Sequence, residues 1–173
     1  MNRLLLWIAQ GFGLGRSPIA PGTLGSVLGV FWFGLLISEP RPFFYFFGLV
    51  FGLGLSVAVT GKAEELLGRK DPGSIVLDEI AAVPACFPVW MILLWRHQGH
   101  WPAADLFFQP KSWMVVVGIL TLFRVFDVLK PWPVRQAQSL PGGYGVTADD
   151  VLAAVYVNVC VLGVYFIQPN WLL

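Results

Sequence analysis

Polar and apolar positions along this chain are gathered into long blocks. Stretches without a charged residue run over 17–38, 42–61, 80–95, 112–123 and 151–173. About 20 apolar residues carry a helix across a bilayer core, so the first, second and fifth blocks are long enough to span. The third and fourth are short. The fourth reaches the required length if its helix runs on past Arg124 through Phe126, with the guanidinium extending toward the headgroups. The pattern predicts an all-α, polytopic membrane helix bundle of about five hydrophobic helices, with polar loops gathered on its inner face.

The segment "MNRLLLWIAQ" has one arginine and an apolar run of about six residues, shorter than a secretory signal core and without a small-residue cleavage site. It predicts a short N-terminal interfacial helix, held by Trp7 and retained. No repeat or linker interrupts the chain, which predicts one integral-membrane domain over 1–173.

Composition strengthens the membrane assignment. The chain is 57% hydrophobic and 12% charged, whereas a soluble domain carries about 25% charged residues. A net charge of +1 gives no basis for holding a polyanion, so nucleic acid is excluded as a partner. Cys86 and Cys160 lie in apolar blocks and read as small hydrophobes, with no disulfide expected.

The charges fall unevenly on the two sides that five spans define. Arg3, Arg16, Lys62, Arg69, Lys70, Arg124, Lys130 and Arg135 map to one side, and Arg41, Arg96 and Lys111 to the other. The positive-inside rule places the first set, and the N-terminus, in the cytoplasm, with the C-terminus outside. The carboxylates follow: only Glu39 and Asp105 fall on the outer side, where both histidines, His97 and His100, also lie. Trp90, Trp95, Trp113, Trp132 and Trp171 stand near block ends, as interfacial belts require.

Asp78 and Glu79 are expected to open the third helix, Asp127 to close the fourth, and Asp149 and Asp150 to open the fifth. Acids at helix N-termini are common caps that complement the dipole. Asp127 sits at the opposite end, however, and like charges gathered beside an apolar phase are costly unless neutralised. A divalent cation would neutralise them. With oxygen donors alone, and no cysteine or histidine on that side, Mg²⁺ or Mn²⁺ is favoured over Zn²⁺.

The stretch "FRVFDVLKPWPVR" adds positive charge. Arg124 and Asp127 share a helical face, and Pro131 and Pro133 end the helix with Lys130 at its mouth. Such cations serve either as lipid-headgroup contacts or, beside a metal, as a phosphate clamp. "GFGLGRSPIAPGTLGS" offers a possible anion-holding nest at Gly11, Gly13 and Gly15, with Arg16, Ser17, Thr23 and Ser26 as polar contacts; a plain capping loop is the alternative. "GKAEELLGR" reads as a separate short amphipathic helix, "KDPG" as a turn, and "PGGYGVTADD" as glycine-rich backbone leading to the last acids.

The nucleophile for a phosphate-bearing substrate is narrowed by elimination. No cysteine lies in a polar loop before an arginine, no histidine lies on the acidic side, and no D-x-D pair is present. Metal-assisted attack by water, or direct attack by a carboxylate, remains.

The motifs "GLGRSPIAPGTLGS", "GSIVLDE", "FRVFDVLKPWPV" and "GGYGVTADDVLAA", in this order from residue 11 to 154, strongly resemble the phosphatidylglycerophosphatase A family of bacterial membrane enzymes. The resemblance implies removal of the terminal phosphate of phosphatidylglycerophosphate to give phosphatidylglycerol, with Mg²⁺ required, at the cytoplasmic face of the inner membrane. It makes Asp78, Glu79, Asp127, Asp149 and Asp150 the acidic centre, and Lys130 and Arg124 the phosphate contacts. Thr147 and Ala154 stand where the family tends to methionine and glycine, departures that bear on packing.

Together these readings lead us to expect Asp78, Asp149 and Asp150 on the cation, Glu79 or Asp127 as base toward water, and Lys130 and Arg124 on the phosphoryl group. Two rivals are weighed. A CDP-alcohol phosphatidyltransferase requires a D-x-x-D-G-x-x-A-R core, which is absent. A cation transporter or channel with an acidic cytoplasmic entrance would place charges at mid-membrane.

Overall fold

The computed structural model describes residues 2–173; Met1 of the predicted interfacial helix lies outside them. Eight α-helices carry the described chain: α1 (Asn2–Ala9), α2 (Pro21–Leu36), α3 (Pro42–Leu67), α4 (Leu77–Ala82), α5 (Pro88–Gln98), α6 (Pro110–Leu129), α7 (Val134–Ala137) and α8 (Gly143–Ile167). Proline opens α2, α3, α5 and α6, where its fixed φ suits the first turn and its missing N–H deprives no carbonyl.

Four helical segments are long and apolar enough to cross a membrane: Pro42–Leu67, Leu77–Gln98, Pro110–Leu129 and Gly143–Ile167. The third and fourth spans are longer than their uncharged blocks because charged residues lie inside the helices. The third begins at Leu77 and includes Asp78 and Glu79, while the fourth runs past Arg124 and Asp127 to Leu129. The first block is the shorter one. Residues 17–20 stay outside the helix, Ala20 turning left-handed before Pro21, and α2 has 16 residues. "GKAEELL" is not a separate helix but the last turns of α3, which stops at Gly68 in a left-handed cap.

The span Leu77–Gln98 is interrupted by a 3-10 turn over Val83–Cys86, between α4 and α5. Pro84 and Pro88 withhold two N–H groups there and break the ladder. Asn158 of α8 repairs the gap: its Nδ2 donates to the Ala85 carbonyl at 2.7 Å, and its Oδ1 accepts from the Val89 N–H at 3.1 Å. One side-chain amide thus stands in for both halves of a missing backbone bond, the remedy a proline break needs where no water reaches. The Tyr45 hydroxyl donates to the Pro84 carbonyl at 2.6 Å.

α8 is the axis of the bundle, packed against α3, α4, α5, α6 and α7. At Gly61 and Gly143 the α3 and α8 backbones nearly touch: a Cβ on Gly143 would collide with the Val57 carbonyl. Small residues permit such approach between membrane helices; Ala153 and Ala154, further along α8, are buried as well. Ser56 and Thr147 share a buried hydrogen bond across it at 2.9 Å. The core fills with Phe33 stacked on Phe87 at 4.1 Å, beside Tyr45, Trp90 and Phe123. Trp90 is therefore a core residue rather than part of a belt, its Nε1 donating to the Leu172 carbonyl. Trp95, Trp113, Trp132 and Trp171 are exposed.

α1 lies against α3, with Ala9 packed beside Ala63 and Ile75. The chain ends occupy opposite ends of the bundle. Val76, at the head of α4, donates to the Ala9 carbonyl, whereas Leu173 accepts from Lys111 at the start of α6.

Candidate active site

Three helices deliver carboxylates to one cavity of about 240 Å³, lined by Asp71, Asp78, Glu79, Asp127, Val128, Lys130, Asp149 and Asp150. Asp78 and Glu79 come from the first turn of α4. Asp127 comes from the last turn of α6, and Lys130 caps that helix in a left-handed conformation. Asp149 and Asp150 do not open α8 as expected. The helix begins at Gly143, so they lie in its second turn, below the surface. Their position owes nothing to capping; it follows from the depth at which the Gly143 contact seats α8 against α3.

Asp78, Glu79 and Asp150 converge, with one oxygen from each within 4.8 Å of the others. Asp78 Oδ1, Glu79 Oε2 and Asp150 Oδ2 are buried and have no hydrogen-bond partner among the described residues. Buried carboxylate oxygens without donors are costly, and all three are hard ligands. This trio could hold a metal ion.

The other two acids are occupied by cations. Arg124 Nη1 lies 2.9 Å from Asp127 Oδ2 and 3.7 Å from Glu79 Oε1. Lys130 Nζ donates to Asp149 Oδ2 at 2.5 Å. The structure thus groups Glu79, rather than Asp149, with Asp78 and Asp150. Burial alone would lower the Lys130 pKa, but Asp149, Asp71 and Asp127 outweigh it and raise the group above its ordinary value. Lys130 is accordingly a fixed positive charge at the cavity wall. Arg124 reaches its partners because Gly22 has no side chain; a Cβ there would sit 2.8 Å from Nη2.

The glycine-rich segment does not form the expected nest. Gly13 and Gly15 both donate to the Gln10 carbonyl, so those N–H groups are not free to receive an anion. Gly11 and Gly15 are buried instead against the 74–76 backbone and side chains, where a Cβ would collide with Val76 or the Ser74 carbonyl. Arg16 is turned back onto Gln10 Oε1 at 2.7 Å, and Ser17 hydrogen-bonds with Ile19. Ser26 donates to the Gly22 carbonyl of its own helix. Thr23 and Ser26 lie along a groove with Arg124, while Arg16 and Ser17 are not among the cavity-lining residues.

Two residues of the site went unread in the sequence. Asp71 lines the acidic cavity, and its backbone N–H donates to Glu64 Oε1 at 2.5 Å, while Gln138 Nε2 donates to its carboxylate. Glu64, though in a charged stretch, is buried in the last turn of α3. "KDPG" indicated only a turn, and nothing local shows that this turn folds over three acids. The signal for Glu64 was its place at the end of an apolar block long enough to continue as helix.

A family model described as phosphatidylglycerophosphatase A matches residues 7–165. The phosphatidylglycerophosphatase A of Escherichia coli is 34% identical over 166 residues, covering 95% of this chain and 83% of that protein. That of Haemophilus influenzae is 34% identical over 162 residues, covering 92% and 87%. A Bacteroides thetaiotaomicron protein, provisionally named a phosphatidylinositol-3-phosphatase, is 35% identical over 158 residues, with 86% of each chain covered. No solved structure matches. With its acids, cations and membrane helices accounted for residue by residue, the chain is a membrane enzyme that belongs to the phosphatidylglycerophosphatase A family.

Proposed function

We propose that this protein hydrolyses the terminal phosphate monoester of phosphatidylglycerophosphate, giving phosphatidylglycerol and inorganic phosphate, with Mg²⁺ as cofactor, at the cytoplasmic face of the inner membrane. The observation that carries the reading is the buried trio of partnerless carboxylate oxygens facing one cavity with Lys130, in a chain of this family.

Asp78, Glu79 and Asp150 would hold the cation; an all-oxygen, all-carboxylate donor set suits Mg²⁺. When bound, the ion polarises a phosphoryl oxygen and neutralises the acids around it. Lys130 and Arg124, paired with Asp149 and Asp127, turn their N–H groups to the phosphoryl oxygens, where negative charge gathers in the transition state. Asp127, released from Arg124, accepts a proton from the attacking water. The new P–O bond forms from that water as the bond to the glycerol oxygen breaks, and the leaving oxygen is protonated from solvent. Asp71, fixed by Glu64 and Gln138, closes the cavity on its loop side.

The test is phosphate release by the purified protein in detergent micelles, with and without Mg²⁺, from phosphatidylglycerophosphate and from phosphatidylinositol 3-phosphate. The expected result is Mg²⁺-dependent release, faster from phosphatidylglycerophosphate and lost in Asp150→Asn. Preference for the inositol lipid would transfer the reading to the substrate class that the Bacteroides relative's name carries. No release from either lipid by folded protein would overturn it.

A further inference from the structure

Outside the acidic cavity, a larger apolar groove of about 610 Å³ runs between α2 and α6. It exists because the two helices do not pack chiefly on each other: α2 lies on α4, and α6 lies on α8. Val117, Leu120, Thr121 and Val125 form one stripe of α6 at helical spacing, facing Val27 and neighbouring positions on α2. Two of the three hydroxyls on the wall are spent within their own helices. Thr121 Oγ1 donates to the Val117 carbonyl at 2.8 Å, and Ser26 Oγ to that of Gly22 at 2.9 Å.

The groove adjoins the acidic cavity. Val128 lines both, and Arg124 lines the groove while its guanidinium is paired with Glu79 and Asp127. One end is thus cationic and leads to the acids, and the rest is apolar. From Asp127 to Val117 the helix descends about 15 Å at 1.5 Å per residue, the depth of one leaflet of a bilayer core about 30 Å thick.

We infer that the α2–α6 groove seats one acyl chain of the anionic phospholipid whose headgroup enters the acidic cavity, an inference that rests on the function proposed above. The occupant follows from the two ends: an anion for Arg124, and a leaflet-deep hydrocarbon for the stripe below it. Within a bilayer the chain gains no hydrophobic energy by entering the groove, because lipid is as apolar as the wall. What the groove supplies is position. A chain held along α6 brings its own headgroup to the mouth of the cavity in one orientation, which lowers the entropy cost of reaction.

The experiment compares wild type, Val117→Trp and Val155→Trp on dioleoyl and dihexanoyl phosphatidylglycerophosphate. Val117 lies at the deep end of the groove, beyond the reach of a six-carbon chain; Val155 is exposed on α8 outside it. The expected result for Val117→Trp is a loss of about tenfold or more in kcat/KM on the dioleoyl lipid, from displaced geometry. On the dihexanoyl lipid it stays within about twofold of wild type. Val155→Trp, the same bulk elsewhere on the lipid face, matches wild type on both.

In a second readout, a diazirine at the far end of an acyl chain labels α6 around Val117. Equal losses on both lipids, unchanged dioleoyl kinetics, or label confined to other helices would each overturn the groove's role. Absence of phosphate release by wild type from either lipid is a different pattern, one that overturns the functional reading and the groove with it.

Discussion

Neutralising one carboxylate of the Asp78, Glu79 and Asp150 group has three expected effects. Asp78→Asn removes a buried negative charge from a trio whose oxygens lack partners, so thermal unfolding of metal-free protein shifts upward. With Asp78 as a proposed ligand, added Mg²⁺ is expected to raise the melting temperature of wild type but not of this variant, and phosphate release is expected to fall by about 10³-fold or more. Calorimetry with and without Mg²⁺ checks the first pair of effects and an activity assay the third. Lys130→Met keeps the alkyl stem and removes the charge, with an expected loss of about 100-fold in kcat and partial recovery in Lys130→Arg. At this scale the sequence was most readable where spacing is local. Arg124 and Asp127 three apart, and Lys130 before two prolines, stand in the structure as the pattern requires. Asp71, Glu64 and Asn158 were opaque because each acts through a partner 7 to 73 residues away.

Where helices meet, the telling positions are the broken span and the glycine contact. Asn158→Leu leaves the Ala85 carbonyl and the Val89 N–H without their partners in the interior of the bundle. The expected destabilisation is on the order of 3 kcal/mol, measurable by denaturation in micelles. Gly143→Ala forces α8 away from the Val57 carbonyl, an overpacking expected to cost about 1–3 kcal/mol. Because Asp149 and Asp150 ride on α8 two turns in, activity should fall further than stability, and parallel assays of the two would show it. The helices themselves were legible as blocks, but their ends were not. Charged residues and "PGGYG" resemble loop in sequence because charge and glycine are most common where a chain faces water. In the folded chain Asp149 and Asp150 face a cavity, and Gly143 and Gly145 are buried helical residues.

For the molecule as a whole, the two ends of the bundle differ in charge. Eight of the eleven cationic side chains belong to segments around the acidic cavity, and Arg41, Arg96 and Lys111 to the far end. By the positive-inside rule the cavity is expected in the cytoplasm and Leu173, at the far end, outside. A fluorescent reporter that matures only in the cytoplasm is expected to stay dark at the C-terminus, while an alkaline phosphatase fused there is active. A bright cytoplasmic reporter would reverse the orientation.

Val128 lines both the hydrocarbon groove and the acidic cavity, so the two lie side by side. With the acyl chain seated in the groove as inferred above, the enzyme is expected to meet its substrate in two dimensions, the lipid entering sideways from the sheet it diffuses in. Its saturation would follow mole fraction in the membrane rather than molarity in the suspension. Diluting substrate with inert lipid at fixed total substrate should slow it, whereas diluting the vesicles with buffer should not.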